Sequence, residues 1–508
     1  MDKPVMNAQS SHSTVDMDDV QGLVRFGHGH LSEMAFILLQ VNDPGAARRW
    51  LAQVPVTSAR SKSPLPESAL QLAFTASGLT ALGVSQSTVM AFSEEFTTGI
   101  SGSENLSRRL GDIGSNHPRH WRWGSTTINT PHVLLMIYTL PGRLSDYLQN
   151  TLTSDFGSAF AVQHTLHSLS SGPEEPFGFV DGISQPVIDW HKSMPPDRHA
   201  HDKYSNLLAP GEVLLGYPNE YGLYTERPLL HPSQAPEALT LPTAIEQPLL
   251  RDLGRNGSYL VLRQLIQDVP AFWQFVDEQS GSDARRRDSL AAAMVGRQRD
   301  GTPLAGLATR PITESEAGDL FDFDHDPLGR LCPLGAHIRR ANPRTGDYPP
   351  EVDSAVKRLL RTLGFNREHP TDDLLSASRF HRLLRRGRAY GSMLTPEQAL
   401  SRTPSNKLEE ERGLYFVCLA ANISRQFEFV QNAWIANSKF AGLPTESDPL
   451  LGNRAPLASG AATDSFTQPR QGEPAYCVRS LPQFVTVCGG AYFFMPGIRA
   501  LKFILQQK

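Results

Sequence analysis

Apolar runs and amphipathic stretches alternate in the first part of the chain, in an order that predicts both strands and helices. The run from Met34 to Asn42 (MAFILLQVN) is bounded by polar residues, which is typical of a buried strand. Asp43 and Pro44 follow directly, and an acidic N-cap before proline predicts the start of a helix. The same reasoning predicts strands at Leu70 to Ala76, Val133 to Leu140 and Ser158 to His164, with a second helix from Leu144. Strand–helix–strand–strand–helix–strand is the order of a ferredoxin-like domain.

The pattern starts again in the second half of the chain. A strand from Ser258 to Val269 runs straight into a helix from Pro270, just as the first strand of the chain does. Further elements are predicted as a strand at Leu414 to Ala421, a helix from Asn422 and a closing strand at Phe484 to Met495. We therefore predict an α+β protein with two ferredoxin-like domains, each with an antiparallel sheet and flanking helices.

The predicted boundaries follow from these patterns. Residues 1–20 are polar and acidic and are predicted to be a disordered tail, residues 21–250 an N-terminal domain with long loops, and residues 251–508 a C-terminal domain. Residues 191–250 and 441–475 show no clear periodicity and are predicted to be long loops. Loops of this length in a compact protein usually serve the function.

Composition and charge exclude several classes of partner. The 508 residues are 40% hydrophobic and 20% charged, which is ordinary globular usage. A net charge of -4 gives no global basic field, so we predict neither a nucleic-acid nor a membrane partner, although arginine is dense in Arg379–Arg388. The four cysteines form no CxxC pair and no zinc spacing. Together with the lack of an apolar leader, these thiols predict a cytoplasmic protein.

Three segments carry candidate chemistry, and each also has a plain structural interpretation. PFGFVDGISQP at 176–186 holds Asp181 among apolar residues and glycines, either as a turn residue or as a partly dry carboxylate. LCPLGAHIRRANPR at 331–344 holds His337, either as a core residue or as an axial ligand of haem iron. HRLLRRGRAYG at 381–391 is rich in arginine, which could cover a surface or stabilise an anion. Signatures of phosphate loops, zinc proteases and nucleophile elbows are absent from the sequence.

Taken together and in this order, the three segments resemble those of the dye-decolourising peroxidases, a haem peroxidase family. Further matches are QGLVRFGHG near the start, LLGYPNEYGLY, RNGSYLVLRQLIQD and RGLYFVCLAANISRQFEFVQNAW, so the resemblance runs from about Val20 to the C-terminus. It implies two ferredoxin-like domains with one bound haem b. The long loops are similar to those of the larger, cytoplasmic branch of the family.

The resemblance also implies roles for individual residues. It makes His337, in the C-terminal domain, the proximal ligand of haem iron and Asp181 the distal acid–base group. It makes Arg385 the distal arginine, with Arg386 as the alternative if the register differs by one residue. The other residues implied to contact haem are Gly182 and Ile183, and Arg339, Arg340 and Arg344 are candidates to hold the haem propionates.

Two further expectations concern the surroundings of these groups. Many relatives place an acidic residue behind the proximal histidine, and the alignment brings Asn422 to this point, with Glu428 as the alternative. Apolar neighbours are expected to raise the pKa of Asp181. An aspartate acid–base group further predicts that dyes are oxidised best at acidic pH.

The function implied is that of a peroxidase, which reduces hydrogen peroxide and oxidises dyes or small phenolic donors through a ferryl intermediate. One alternative is a haem-handling protein that binds haem through His337 without peroxidase turnover. Another is a haem-free interaction protein that kept the fold. Trp190 and Trp434 are candidates for an electron relay, with packing as the alternative role, and the oligomeric state stays open.

Overall fold

The computed structural model describes residues 15–125, 129–153, 155–169, 172–191, 206–233, 235–305, 321–344, 377–402 and 410–507. Its α-helices are α1 (Gly22–Phe26), α2 (Pro44–Gln53), α3 (Ala76–Ala81), α4 (Gln86–Val89), α5 (Glu94–Thr98), α6 (Glu104–Leu110), α7 (Leu144–Thr151), α8 (Phe156–Ala159), α9 (Val269–Gln279), α10 (Ala284–Val295), α11 (His337–Ala341), α12 (Pro396–Leu400) and α13 (Ile498–Leu505). Short 3-10 helices lie at Gly114–Asn116, Pro118–His120, Pro210–Glu212, Pro236–Thr240, Ala377–His381 and Phe440–Gly442. Ser424–Glu428 and Val430–Ile435 are π-helical.

The strands are β1 (Glu33–Val41), β2 (Ser68–Phe74), β3 (Val133–Thr139), β4 (Phe160–Leu169), β5 (Val187–Ile188), β6 (Leu207–Leu208), β7 (Leu229–Leu230), β8 (Arg251–Asp252), β9 (Ser258–Gln267), β10 (Leu384–Arg385), β11 (Arg388–Tyr390), β12 (Gly413–Ala420), β13 (Phe466–Gln468), β14 (Tyr476–Val478) and β15 (Val485–Met495). The long apolar strands fall where the hydrophobic pattern predicts them. Asp43 caps α2 through its side chain, which accepts the backbone N–H of Ala46, and Pro44 occupies the first turn.

The N-terminal part forms an antiparallel sheet with the order β2-β3-β1-β4. The C-terminal part repeats this arrangement as β15-β9-β12-β10, and β11 also pairs with β12. In both parts the first strand lies between the last and the third, which is the ferredoxin-like arrangement. The prediction of two ferredoxin-like units is therefore confirmed, while the exact boundary at residue 250 stays a prediction.

The two sheets join edge to edge into one nine-stranded sheet. Phe494 of β15 pairs with Phe74 of β2, and both side chains are fully buried. The largest hydrophobic cluster draws residues from both halves, including Trp50 and Trp273. The halves therefore share a core as well as a sheet.

The prediction of a disordered tail up to residue 20 is wrong for its last six residues. Val15 and Val20 are buried, and Asp19 accepts hydrogen bonds from Asn256 Nδ2 and from the backbone N–H of Arg499, both at 2.7 Å. The acidic composition of this segment does not reveal partners that lie more than 200 residues away in sequence. Residues 1–14 lie outside the described residues.

Two further features bear on the sequence predictions. All four cysteines are free thiols, and only Cys477 among them is exposed. In the ranges that the structure describes, every helix is too short or too polar to cross a bilayer.

Candidate functional site

The turn that carries Asp181 is anchored in the core by two phenylalanines. Phe177 lies 4.6 Å from Phe272 between ring centroids, and Phe179 stacks parallel to Trp273 at 6.4 Å. The indole of Trp273 also donates to the carbonyl of Phe177 at 3.2 Å. Because α9 supplies both partner rings, the apolar residues of this turn hold Asp181 at a fixed place beside the C-terminal half.

A second carboxylate stabilises the same turn from inside. Glu175 accepts the backbone N–H groups of Phe177 and Phe179 at 3.0 and 3.1 Å, and the side-chain amide of Gln267 at 2.7 Å. Burial raises the pKa of Glu175 to about 7 despite these hydrogen bonds. Glu175 is a structural residue that the sequence did not single out, and its three bonds fix the backbone before Asp181.

The residues after Asp181 differ in their surroundings. Gly182 has a φ of +78°, and an added Cβ there would meet no atom within 4 Å, so this glycine borders open space. Ile183 packs on Gly301, where an added Cβ would lie 2.2 Å from the isoleucine Cδ1. Both stay candidates for contact with a cofactor.

Arg385 lies directly beside Asp181. Its Nη1 donates to Asp181 Oδ1 at 2.9 Å, and the two side chains are 34% and 41% exposed. Arg386 points the other way and donates to the carbonyls of Leu23 and Val24 at the end of α1, both at 2.8 Å. The structure therefore brings Arg385, and not the alternative Arg386, to the aspartate.

The expected rise in the pKa of Asp181 is not found. Burial does raise the pKa, but the Arg385 guanidinium and the backbone N–H of Gly182 outweigh burial, so the net pKa lies below the ordinary value. The apolar neighbours of Asp181 are visible in the sequence, whereas its contact with Arg385 is visible only in the structure. At neutral pH this group is therefore a carboxylate, ready to accept a proton.

His337 begins the short helix α11 and is held by a buried carboxylate. Its Nδ1 donates to Asp448 Oδ2 at 2.9 Å, and Asp448 is fully buried. The other oxygen of Asp448 accepts the backbone N–H groups of Leu450 and Leu451 at 2.9 and 2.8 Å. Burial lowers the pKa of His337, but the Asp448 carboxylate outweighs it, so the net pKa is raised.

The remaining nitrogen of His337 suits an iron ligand. Within the described residues Nε2 has no hydrogen-bond partner, and the side chain keeps 27% of its area exposed. His337 lies close enough to Asp181 and Arg385 for the charges of both to act on its imidazole. An oriented imidazole with a free nitrogen and a carboxylate behind it is the donor set expected for an axial haem ligand.

Comparison with known proteins supports this interpretation. No family model matches the chain. Dye-decolorizing peroxidase AauDyP1 of Auricularia auricula-judae is 28% identical over 528 residues, which cover 97% of this chain and 88% of the relative. Dye-decolorizing peroxidase msp1 of Mycetinis scorodonius is 26% identical, with 98% of this chain and 89% of the relative covered. The crystal structure of a fungal DyP-type peroxidase from Auricularia auricula-judae matches with a TM-score of 0.70 at 26% identity, covering 97% of this chain and 99% of that chain. The relatives and solved structures that match nearly the whole chain are dye-decolourising peroxidases.

This chain is a haem peroxidase, and haem b is its cofactor. The similarity to peroxidases over nearly the whole chain favours this function over both the haem-handling and the haem-free alternatives. The fold expected from the resemblance, two ferredoxin-like units, is also the fold observed.

The residue that holds the Nδ1 atom of His337 differs from both predictions. Asn422 accepts the backbone N–H of Arg425 at 2.8 Å and so caps its own helical turn. Glu428 accepts from Tyr492 and Arg109 at 3.1 and 2.9 Å. Neither group contacts His337, and Asp448 does instead. The sequence contained one feature that could have pointed to Asp448. This carboxylate precedes a Pro-Leu-Leu run, just as Asp181 lies among apolar residues.

Two of the arginines after His337 have structural partners, which contradicts the propionate role for them. Arg339 donates to Asp326 Oδ2 at 3.0 Å and to the carbonyl of Cys332 at 2.7 Å. Arg340 donates to the carbonyls of Trp434 and Asn437, both at 2.9 Å. Both guanidinium groups are buried and fix α11 in place. A run of arginines in the sequence cannot show which of them already has an internal acceptor.

Arg344 is placed differently, since it reaches the segment that follows Asp181. Its Nη2 donates to Ser184 Oγ and its Nη1 to the carbonyl of Phe321, both at 2.8 Å. Of the three predicted arginines, Arg344 is therefore the one that reaches the Asp181 segment.

The two tryptophans considered as relays have packing contacts. Trp434 is buried and lies at right angles to His381 and Phe429, at 5.3 and 5.4 Å between ring centroids. Trp190 is half-buried against the second hydrophobic cluster. Neither contact set identifies a relay.

Proposed function

We propose that Asp181 is the distal acid–base group of this peroxidase, with Arg385 as its cationic partner and His337 as the proximal ligand of haem iron. The observation that carries the proposal is the Asp181–Arg385 ion pair at 2.9 Å, whose two charges also act on the imidazole of His337. We propose further that Arg344 holds a propionate and that Gly182 and Ile183 line the haem edge.

The chemistry requires a proton acceptor that later becomes a donor. When bound, haem supplies the ferric iron that takes up peroxide and receives its oxidising equivalents. The overall reaction consumes one hydrogen peroxide, two protons and two electrons and yields two waters. Asp181, ionised at neutral pH, accepts the proton of the oxygen nearer the metal and returns it to the far oxygen, which leaves as water.

Arg385 and Asp448 have separate electrostatic tasks in this proposal. The fixed charge of Arg385 stabilises the peroxide anion and the negative charge that develops on the departing oxygen. Asp448 accepts the Nδ1 proton of His337, which orients the ring and increases electron density on Nε2. The electrons come from two molecules of a one-electron donor, and small phenols and dyes are the proposed donors.

The distal role is tested with Asp181→Asn, which keeps the shape and removes the base. We expect the second-order rate constant for peroxide, followed by stopped-flow absorbance, to fall by roughly 10²–10⁴. The Soret band of the resting protein is the control, because haem content should stay unchanged. A variant that reacts with peroxide at the full rate would refute the acid–base role.

A cytoplasmic location is a further proposal. It rests on the four free thiols, since a chain without disulfides suits a reducing compartment. Fractionation of the native source with antibody detection tests it, and recovery outside the cytoplasm would contradict it.

A further inference from the structure

The guanidinium of Arg385 needs support that its ion pair with Asp181 does not give. Both side chains are more than one-third exposed, and ion pairs of this exposure do little to fix the position of a side chain. The strand that carries Arg385, β10, has two residues and forms the outer edge of the sheet. A short edge strand is held from one side only, so other contacts must fix the position of Arg385.

Gln185 supplies that contact from the opposite side of β10. Its Oε1 accepts the backbone N–H of Arg385 at 3.0 Å, on the side of β10 that faces away from β12. The carbonyl of Ser184 accepts Arg385 Nη2 at 3.3 Å. The segment after Asp181 therefore holds both the backbone and the side chain of the arginine.

Gln185 is itself held by a residue outside the turn. Asn206 Nδ2 donates to the carbonyl of Gln185 at 2.7 Å, and Asn206 Oδ1 accepts from Arg382 Nη2. Arg382 lies three residues before Arg385, so these hydrogen bonds form a closed ring that runs from the β10 region through Asn206 and Gln185 and back to β10. In such a ring each residue is held from two sides, which resists its movement.

We propose that Gln185 is a positioning residue that sets the geometry of the Arg385 guanidinium relative to Asp181 and to an anion bound at the iron. This inference rests on the proposed function of Arg385. Gln185 does not touch peroxide in this proposal and acts through the arginine alone.

The test uses Gln185→Met, which keeps the length of the side chain and removes the strong acceptor, and Gln185→Glu, which keeps an acceptor. The readout is the dissociation constant of fluoride, a small anion, measured from the Soret shift of the haem-loaded protein at fixed pH. We expect Gln185→Met to weaken fluoride by about tenfold, the effect of one misaligned charge-assisted hydrogen bond. We expect Gln185→Glu to stay within about threefold of the parent protein.

A double-mutant cycle with Arg385→Leu separates positioning from general structural damage. If Gln185 acts through Arg385, Gln185→Met has no additional effect on fluoride once Arg385 is gone. An additive loss, or a loss of haem content in Gln185→Met alone, would overturn the inference in favour of a structural role.

The same double-mutant cycle distinguishes a failure of the proposed role of Arg385 from a failure of the positioning role of Gln185. If Arg385→Leu leaves fluoride and peroxide unchanged, the proposed function of Arg385 fails, and the positioning role fails with it. If Arg385→Leu weakens both while Gln185→Met weakens neither, only the positioning role fails. If Gln185→Met does not yield folded protein, Asn206→Ala removes the outer support instead, and unchanged fluoride affinity there would overturn the inference.

Discussion

At the residue scale, the site combines two carboxylates that have opposite partners. Asp181 faces a guanidinium and is about two-fifths exposed, whereas Asp448 faces an imidazole and is fully buried. The arginine keeps Asp181 ionised and accessible to a small substrate. The buried Asp448 side chain is shielded from solvent and contacts His337 and the backbone of its own turn.

The proposed role of His337 and Asp448 leads to a prediction about the haem iron. Replacing Asp448 with Asn weakens the acceptor behind His337, so Nε2 becomes a poorer donor to iron. We expect the Fe(III)/Fe(II) midpoint potential to rise and haem affinity to fall by roughly 10–100-fold. Spectroelectrochemistry and haem titration measure the two quantities.

Asn422→Ala is the matched control for that experiment, because Asn422 was the sequence-based choice for the same position. Its midpoint potential should equal that of the parent protein. A shift in Asn422→Ala with none in Asp448→Asn would reverse the assignment. His337→Ala should abolish the Soret band.

The pH dependence of the peroxide step follows from the charges that act on Asp181, namely Arg385, His337 and the neighbouring Glu175. A carboxyl pKa below the ordinary value of about 4 keeps the base ionised, so the rate should hold down to about pH 4 and fall below it. In Arg385→Leu the remaining burial raises the pKa of Asp181, and the acidic limb of the pH profile should move to higher pH. Stopped-flow rates from pH 3 to 7 check this, and an unmoved limb would contradict it.

What the sequence could reveal about these residues depended on where their partners lie. Asp181, His337 and Arg385 were identified because each sits in a short segment that resembles the family. Asp448 was missed because it lies 111 residues after His337, in a segment without periodicity. Arg339 was misassigned because its acceptor, Asp326, looks like any surface aspartate in the sequence.

At the scale of elements, the arginine-rich stretch around β10 divides its contacts between two parts of the molecule. Arg385 faces the site, whereas Arg386 and Arg388 donate to the last carbonyls of α1 and to the turn after it. Cations at the carboxyl end of a helix satisfy its free carbonyls and interact well with its dipole. These hydrogen bonds connect the region of β10 and β11 to helix α1.

This division predicts different effects for neighbouring arginines. Arg386→Met removes its charge-assisted bonds to α1 and should lower the free energy of unfolding by about 1–3 kcal/mol. The peroxide rate constant should stay within about threefold of the parent protein. Chemical denaturation and stopped-flow rates measure the two effects, with Arg385→Leu as the comparison.

A large loss of peroxide reactivity in Arg386→Met, with haem content preserved, would count against the assignment of Arg385. The sequence alone left both Arg385 and Arg386 as candidates for the distal arginine, because a shift of one residue in the alignment exchanges them. Only the direction of the strand, with Arg386 N–H bonded to Val417 in β12, decides which side chain faces Asp181.

The elements were predicted with uneven success for a physical reason. Strand β3 is a nearly continuous apolar run and β9 contains the apolar run Tyr259 to Leu262, so their positions follow from the hydrophobic pattern. The segment after β12 was predicted as an ordinary helix but is π-helical. The sequence pattern indicates a helix there but does not decide between i→i+4 and i→i+5 hydrogen bonding.

At the scale of the whole molecule, the joined sheet predicts cooperative behaviour. Phe494 pairs with Phe74 across the join and lies 4.8 Å from the ring of Phe92. Phe494→Ala should cost about 3–5 kcal/mol of unfolding free energy, the usual loss for a buried phenylalanine. Circular dichroism and Soret absorbance should still report a single transition.

Phe26→Ala is the matched control, because Phe26 is 39% exposed and its loss should change stability by less than about 1 kcal/mol. Two separate transitions in Phe494→Ala would show that the halves unfold independently. That result would contradict the shared core.

Asp448, the proposed proximal carboxylate, stands on a loop rather than on a helix or a strand. Backbone N–H groups of its own turn hold Asp448, and Arg454 secures the loop by donating to its carbonyl at 2.7 Å. The seven residues from Asp448 to Arg454 therefore lie outside every strand of the large sheet. If Asp448 has the proposed role, variants of this segment would tune the oxidising power of the iron without altering Asp181 or Arg385.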